Sequence, residues 1–393
     1  MPRTFPPLVD PAGSDRERAL DGDRRARAER QLPLPGFGEA AQRRLDAARV
    51  LVIGAGGLGS ASVPYLAGSG VGTIGIVDDD EVELSNLHRQ IAHGTADLGR
   101  PKVDSLSETV HRLDPGIRVE AHRLRLSSAN ALELFGRYDL VIDGSDNFPT
   151  RYLADDAARL TGVPLVWGAI LQYHGQLGVA WHARGPGYRD LFPAPPLPED
   201  VLSCGTGGVL PGLCGTVGSL LATEALKLIT GIGDPLVGRV LLYDALAART
   251  RELPYSRDPA AAPVTGLVDY ELFCAGPDPA PPAVSAEELA AELRSGRRPA
   301  LLDVRSAEER AARRIRGSEG LPLDLLEAGA GPGAGAGGAD RGTPPLTVYC
   351  ERDPRSVRAA RLLAGRGAEV RYLRGGIRAL ADMAPELLEG RDA

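Results

Sequence analysis

Short apolar runs recur along the first two thirds of the chain: RVLVIG (49–54), TIGIVD (73–78), DLVIDG (139–144), PLVWGAI (164–170) and RVLLYDAL (239–246), with helix-period stretches between them. Near-continuous apolar strands alternating with helices predict an α/β, Rossmann-like doubly wound sheet. The pattern dissolves into Pro- and Ala-rich sequence in RDPAAAPVTG (257–266) and AGPDPAPPA (275–283), where few contacts between cores are expected. It resumes as AEELAAELRSG (286–296), PALLDVRS (299–306), LTVYCE (346–351), RSVRAARLLAGRG (355–367) and EVRYLRGG (369–376), a second and smaller α/β unit. The predicted organisation is a disordered leader over 1–26, a nucleotide-binding domain over 27–272, a linker over 273–283 and a second domain over 284–393. Inside the second domain, the Gly/Ala tract GAGPGAGAGG cannot bury apolar surface, and 329–344 is expected to be a flexible loop.

A chain of 393 residues exceeds what one core comfortably serves, in agreement with two domains. Lys plus Arg at 45 against Asp plus Glu at 52 gives a net charge of -7, which provides no general footprint for nucleic acid or anionic lipid. The N-terminus lacks the apolar core of a secretory signal. Two uncharged segments, 50–77 and 201–223, imitate membrane spans, yet both are dense in Gly and each carries a Pro, so buried α/β elements explain them better. The four cysteines, Cys204, Cys214, Cys274 and Cys350, include no C-x-x-C pair, and a reducing, cytoplasmic location is expected.

The run VLVIGAGGLG places Gly54, Gly56 and Gly59 at G-x-G-x-x-G spacing after a strand and at a helix start, where backbone N–H groups approach phosphate. Asp78, ending the next strand, stands where a carboxylate reaches a ribose hydroxyl. This pattern alone leaves NAD, FAD and other nucleotides open. A cluster of cations is more selective. Asn86-Leu87-His88-Arg89-Gln90 follows the acidic run Asp78-Asp79-Asp80, and Lys102 follows in GRPKVDS. Such an Arg and Lys can neutralise charge that builds up as pyrophosphate leaves. Asp143, Asp146 and Asn147 lie beyond the end of another buried strand. Asp146 there either holds Mg²⁺ against phosphates or caps the helix starting near Pro149.

In order along the chain, GAGGLG, D-x-D at Asp78 and Asp80, S-N-L-x-R-Q from Ser85 to Gln90, G-x-P-K ending at Lys102, and DGSDNF resemble the E1-like adenylyltransferases of the MoeB/ThiF type, most closely the MoeZ-like members that append a rhodanese domain. The resemblance implies ATP over the Gly-rich turn, contacted by Gly54, Gly56, Gly57, Asp78, Asp80, Ser85, Asn86, Leu87, His88, Arg89, Lys102, Asp146 and Asn147, with Mg²⁺ on Asp146. It implies catalysis by positioning and charge neutralisation through Arg89, Lys102 and Asp146, with no protein nucleophile for adenylylation. It also implies a homodimer that lends Arg30, from the segment Arg27-Ala28-Glu29-Arg30-Gln31, across its interface. The family's structural zinc uses two C-x-x-C pairs; the corresponding positions here are Gly187, Asp190, Ala262 and Thr265, so no zinc site is expected. Cys204, in SCGTGGVL, matches a position where some relatives link covalently to the carrier; a buried small-residue role is the alternative.

In LTVYCERDPRSVRAARLLAG, a strand delivers Cys350 into a tight loop opening onto a helix, an environment that stabilises a thiolate or persulfide. With Asp303-Val304-Arg305 and Gly375-Gly376-Ile377 this segment resembles a rhodanese domain, and Cys350 through Arg355 forms a six-residue loop. Glu351 and Asp353 are expected to raise the sulfur's pKa, opposed by Arg352, Arg355 and Arg358. The implied function is ATP-dependent adenylylation of the C-terminal glycine of a ubiquitin-like sulfur-carrier protein ending in Gly-Gly, then sulfur transfer from a Cys350 persulfide to form its thiocarboxylate. A cysteine desulfurase or thiosulfate would supply the sulfur. Membrane and direct nucleic-acid partners are not expected. The alternative readings are an NAD-dependent oxidoreductase with an accessory sulfurtransferase domain, and a non-catalytic carrier-docking scaffold.

Overall fold

The computed structural model describes residues 5–10, 20, 22–196, 207–274, 281–297, 299–331 and 345–391. Cys204, most of the leader, residues 275–280 of the linker and 332–344 of the Gly/Ala loop lie outside the described residues. The chain divides into two compact units, with Leu202–Phe273 closing the first and Cys274–Ala393 in the second.

The first unit runs α1 (Gly22–Ala28), α2 (Gly38–Ala47), β1 (Arg49–Ile53), α3 (Gly57–Gly68), β2 (Thr73–Val77), α4 (Lys102–Leu113), β3 (Arg118–His122), α5 (Ala131–Phe135), β4 (Leu140–Asp143), α6 (Phe148–Thr161), β5 (Leu165–Leu171), β6 (His174–Ala180), α7 (Tyr188–Leu191), α8 (Pro211–Thr230), β7 (Arg239–Asp244) and β8 (Arg249–Pro254), ending at α9 (Tyr270–Cys274). Its sheet has the order β3-β2-β1-β4-β5-β6-β7-β8. The strands from β3 to β5 pair in parallel, and β6, β7 and β8 add antiparallel. Val50 of β1 faces Ile74 on one side and Leu140 on the other, so successive connections leave β1 in opposite directions. A crevice must open there, at the carboxyl ends of β1 and β4.

The longest helix, α8, is apolar enough and long enough to cross a membrane by composition alone. It packs instead within the core of this unit, where Leu213, Val217, Leu221, Ala225 and Leu228, at helical spacing, are all buried. Residues 5–10, expected to be part of a disordered leader, are also packed. The Leu8 amide donates to the Leu228 carbonyl at 2.9 Å, Phe5 stacks on Trp181 and Val9 is buried. Three apolar side chains among prolines are enough to hold this short segment on a hydrophobic surface.

A buried network fastens α7 to α6. The Asp155 carboxylate accepts from the Tyr188 amide (2.9 Å) and the Arg189 amide (3.2 Å), and lies 3.0 Å from His182 Nε2. Asp156 receives two parallel bonds from Arg189 (2.7 and 2.6 Å) and one from the Tyr270 hydroxyl (2.5 Å). The Arg189 guanidinium also lies over the rings of Tyr152 and Phe273. Gly187 and Asp190 belong to this region, and they do not suit a thiolate-type metal site. Both Asp190 carboxylate oxygens are taken, by the amides of Gly187 and Asp258, and a Cβ at Gly187 would come within 2.1 Å of the His182 ring.

The second unit runs β9 (Ala283–Val284), α10 (Ala286–Arg294), β10 (Leu301–Asp303), α11 (Ala307–Ala312), β11 (Arg314–Ile315), β12 (Glu319–Gly320), α12 (Leu323–Glu327), β13 (Leu346–Tyr349), α13 (Pro354–Gly365), β14 (Val370–Leu373), α14 (Gly376–Met383) and β15 (Leu388–Glu389). A parallel sheet of order β12-β10-β13-β14-β9 forms its centre, and β11 and β15 pair antiparallel beside it. Leu302 and Val348 are fully buried in one cluster of this unit, Tyr349 and Leu373 in the other.

Asp156→Ala would leave a half-buried guanidinium and a buried phenol without their partner. The expected outcome is a loss of about 3 kcal/mol from the stability of the first unit, read as a lower urea midpoint for its transition.

Candidate functional site

At the end of β1 the chain turns through Gly54, Ala55 and Gly56 into α3. Gly54 has φ +89°, and a Cβ on Gly59 would fall 1.8 Å from the Gly54 carbonyl oxygen. Only glycine lets the helix start this close to the strand. The first turn of α3 therefore presents unpaired amides, and the positive end of its dipole, to the crevice beside β1 and β4.

That crevice is a cavity of about 420 Å³. Of the residues singled out from the sequence, it gathers Gly54, Gly56, Gly57, Asp78, Asp80, Ser85, Asn86, Arg89, Lys102 and Asp146. Leu87, His88 and Asn147 are not in its lining. His88 Nε2 lies 2.8 Å from Arg89 Nη1, and Asn147 caps α6 by accepting from the Thr150 amide at 2.9 Å. Because Asn147 caps the helix, the Asp146 carboxylate stays exposed on the cavity wall. Arg30 is exposed in the turn after α1 and does not line the cavity.

Sequence reasoning passed over Glu83, Ser145, Arg151 and Ile170 as lining residues, and used Gln90 only as part of a motif. Arg151 sits in the first turn of α6, five positions after Asp146, and an arginine just past an acidic loop at a strand end was the available signal. It is almost buried and donates to the Ser145 carbonyl at 3.2 Å.

The charges here are arranged in depth. Asp78 accepts from the amides of Ala55 (2.7 Å) and Asp80 (2.8 Å), while burial pushes its carboxyl above the usual range. Lys102, buried to its tip, pairs with the exposed Asp80 at 2.7 Å. Asp143 lies behind the loop, fully buried, and burial raises its carboxyl too. At and just behind this cavity, four buried side-chain atoms have no hydrogen-bond partner: Gln90 Oε1, Asp143 Oδ2, Ser145 Oγ and Arg151 Nε. Three of these sit on cavity-lining residues: Arg151 Nε and the Ser145 hydroxyl can donate to an anionic ligand, and Gln90 Oε1 can accept from a ligand hydroxyl or amine, so they fit a site that a polar ligand completes. Asp146 supplies an oxygen donor of the type a hard divalent cation takes. The acidic oxygens of Asp78, Asp79 and Asp80 cluster within 4.8 Å of one another, with Lys102 already countering Asp80.

In the second unit, β13 ends at Tyr349 and delivers Cys350 into the loop that leads to α13. Cys350 is buried, with its Sγ 3.5 Å from the Ser356 hydroxyl. The turn Gly375-Gly376 closes on this loop. Gly376 has φ +61°, and a Cβ there would meet the Arg352 carbonyl oxygen at 2.3 Å. The Ile377 amide donates to the Cys350 carbonyl at 2.9 Å, and the Gly375 amide to Asp353 Oδ1 at 2.7 Å. The loop carboxylates expected to burden the sulfur thus have other partners. Glu351 receives Arg305 at 2.9 Å and Arg313 at 3.1 Å, and Asp353 caps the glycine turn. Two of the three loop arginines are occupied as well, Arg355 by Glu309 through two bonds and Arg358 by Glu327. Arg305 is itself held by two bonds to the buried Asp303.

Residues 28–263 match the ThiF family and residues 285–382 the rhodanese-like domain. The chain belongs to the ThiF family. Within it, the chain is 45% identical over 400 residues to the probable adenylyltransferase/sulfurtransferase MoeZ of Mycobacterium tuberculosis (strain CDC 1551 / Oshkosh), an alignment covering 99% of this chain and 100% of that protein. It is 52% identical over 260 residues to the sulfur carrier protein adenylyltransferase of Thermus thermophilus, over 63% of this chain and 96% of the relative. Among solved structures, E. coli MccB with MccA-N7isoASN shares the fold, at TM-score 0.55 and 19% identity over 60% of this chain and 74% of that one. This ThiF-family chain thus carries its rhodanese-like unit in the same order as a full-length relative.

Arg355 beside Glu309 holds that carboxyl at about 2, below its ordinary 4.5. A folded-state pKa below the unfolded one contributes stability that is complete above about 4.5 and is lost as pH falls toward 2. Acid titration of Glu309→Gln, followed by circular dichroism, is expected to show a shallower loss of stability across that window than the unmodified protein.

Proposed function

We propose that the first unit binds ATP with Mg²⁺ in the crevice beside β1 and β4 and adenylylates the C-terminal glycine of a ubiquitin-like sulfur carrier ending in Gly-Gly. Cys350 then supplies the sulfur that makes the carrier's thiocarboxylate. The chain is an adenylyltransferase and sulfurtransferase acting on a small carrier or peptide. The observation that carries the finer reading is the meeting, in one cavity, of a helix N-terminus, Arg89, Lys102 and Asp146 around buried polar atoms without partners.

In this reading a carrier carboxylate oxygen attacks the α-phosphorus of ATP, the bond to the bridging oxygen breaks, and pyrophosphate leaves. The α3 amides, Arg89 and Lys102 bind the phosphates and offset the charge gathering on the leaving group. Asp146 would hold Mg²⁺, which supplies further charge neutralisation when bound. Asp78 stands at the ribose. In a homodimer, Arg30 of one protomer would serve the cavity of its partner. At the second unit, the terminal sulfur of a Cys350 persulfide attacks the adenylated carbonyl and AMP departs. An external thiol then attacks Cys350 Sγ in the resulting acyl disulfide, the S–S bond breaks, the thiocarboxylate leaves, and a second thiol reduces the mixed disulfide left on Cys350. The persulfide is loaded by a cysteine desulfurase or by thiosulfate, and Cys204 is a second candidate for a covalent link to the carrier.

Two measurements test this. Carrier-dependent ATP–pyrophosphate exchange should fall about a hundredfold in Arg89→Ala and in Lys102→Ala, the scale of losing one transition-state donor; exchange that persists at full rate in both would refute the site. Cys350→Ala should keep exchange while mass spectrometry finds no thiocarboxylate on the carrier. Thiocarboxylate formed at the normal rate by that variant would remove Cys350 from the reaction.

A further inference from the structure

The cavity described above has a support behind it that the proposed chemistry does not use. His93 is buried 12 residues before Ser105 of α4, and both of its ring nitrogens are engaged. Nε2 lies 2.9 Å from the Ala55 carbonyl oxygen, and Nδ1 lies 2.8 Å from the Ser105 hydroxyl. A carbonyl can only accept, so Nε2 carries the proton and Nδ1 accepts from the serine. Burial holds the ring's pKa below its ordinary value, in keeping with this neutral form.

Ala55 is the middle residue of the glycine turn, and its peptide groups are pinned on both sides. Its N–H donates to Asp78 at 2.7 Å, and its C=O accepts from His93. The chain has no cis peptide bonds among the described residues. In a trans peptide the C=O of one residue and the N–H of the next point to opposite sides of the chain. With the Ala55 carbonyl drawn toward His93, the Gly56 N–H is turned the other way. Gly56 lines the cavity, whereas Ala55 and His93 do not. The Ser105 contact extends the same support to α4, three residues along the helix from Lys102 and so on the same face.

We infer that His93 is a positioning residue for nucleotide binding: one imidazole sets the plane of the Ala55–Gly56 peptide, so that the Gly56 amide faces the phosphates, and ties that turn to the helix carrying Lys102. His93 touches neither substrate nor Mg²⁺. Its effect falls on how well ATP is held, more than on the rate of the bound complex. The assignment rests on reading the cavity as the ATP site.

The test compares His93→Ala, His93→Gln and Ser105→Ala in carrier-dependent ATP–pyrophosphate exchange, with sulfane-sulfur transfer by Cys350 in the same preparations as the control for an intact chain. Glutamine offers an N–H donor and a carbonyl acceptor, the two kinds of group the histidine uses. In His93→Ala the KM for ATP is expected to rise about tenfold, the scale of one lost hydrogen bond to a buried group, with kcat changing less. His93→Gln is expected to recover most of that loss. Ser105→Ala, which keeps the ring and removes one of its anchors, is expected to raise KM by a smaller factor, and it decides the matter if His93→Ala does not fold. An ATP KM unchanged in both His93→Ala and Ser105→Ala, or a glutamine variant as impaired as the alanine one, would overturn the assignment while leaving the ATP site standing. Absence of exchange in the unmodified protein would overturn both.

Discussion

The close approach of α3 to β1 governs the first unit. The helix can begin directly at the strand's end because position 59 has no side chain to collide with the Gly54 carbonyl. Everything that gives the cavity its chemistry is referred to that turn. Asp78 binds its Ala55 amide, Gln90 approaches Gly56, and α8 passes beneath Gly57, so that a Cβ there would come within 2.8 Å of Cys214 Sγ. A Cβ added at Gly57 or Gly59 would run into Cys214 Sγ or the Gly54 carbonyl and so displace the amides of this turn.

Around the turn, charge is kept where a ligand can use it. Lys102 is buried but paired with an exposed aspartate, an arrangement that avoids a bare cation in the core while leaving the pair open to a competing anion. The cysteine loop of the second unit follows a different plan. Its arginines and carboxylates satisfy one another, with Arg305 and Arg313 on Glu351 and Glu309 on Arg355, and the backbone of Gly375-Gly376 closes the loop. One site leaves the Lys102–Asp80 pair on a cavity wall, and the other surrounds a buried thiol with Glu351 and Arg355 already paired.

Much of this was legible in the sequence because it is local. Apolar runs gave β1, β2, β4 and β5 of the first sheet and β10, β13 and β14 of the second, though not the short or polar parallel strands β3, β9 and β12, and Gly54 and Gly56, with Arg89 and Lys102 after them, marked residues that line one cavity. What escaped depends on partners distant along the chain. Asp155 and Asp156 read as ordinary charges on a helix until Arg189 and Tyr270 meet them, and Glu351 reads as a burden on the sulfur until Arg305, 46 residues earlier, claims it. Arg151 and His93 needed the fold itself, since the geometry that gives each a role is set by a strand end or a turn elsewhere. Residues 5–10, read with the charged leader, are instead packed because three apolar side chains among the first ten residues find a hydrophobic surface.

The Asp155 and Asp156 network also bears on how the protein meets its surroundings. A clasp made of carboxylates, a guanidinium, an imidazole, a phenol and two backbone amides is complete as soon as the polypeptide folds. It requires no delivery step, cannot be stripped by a chelator, and presents no thiolates for oxidants to attack. An enzyme that handles reactive sulfur gains from having its scaffold held by groups indifferent to that sulfur.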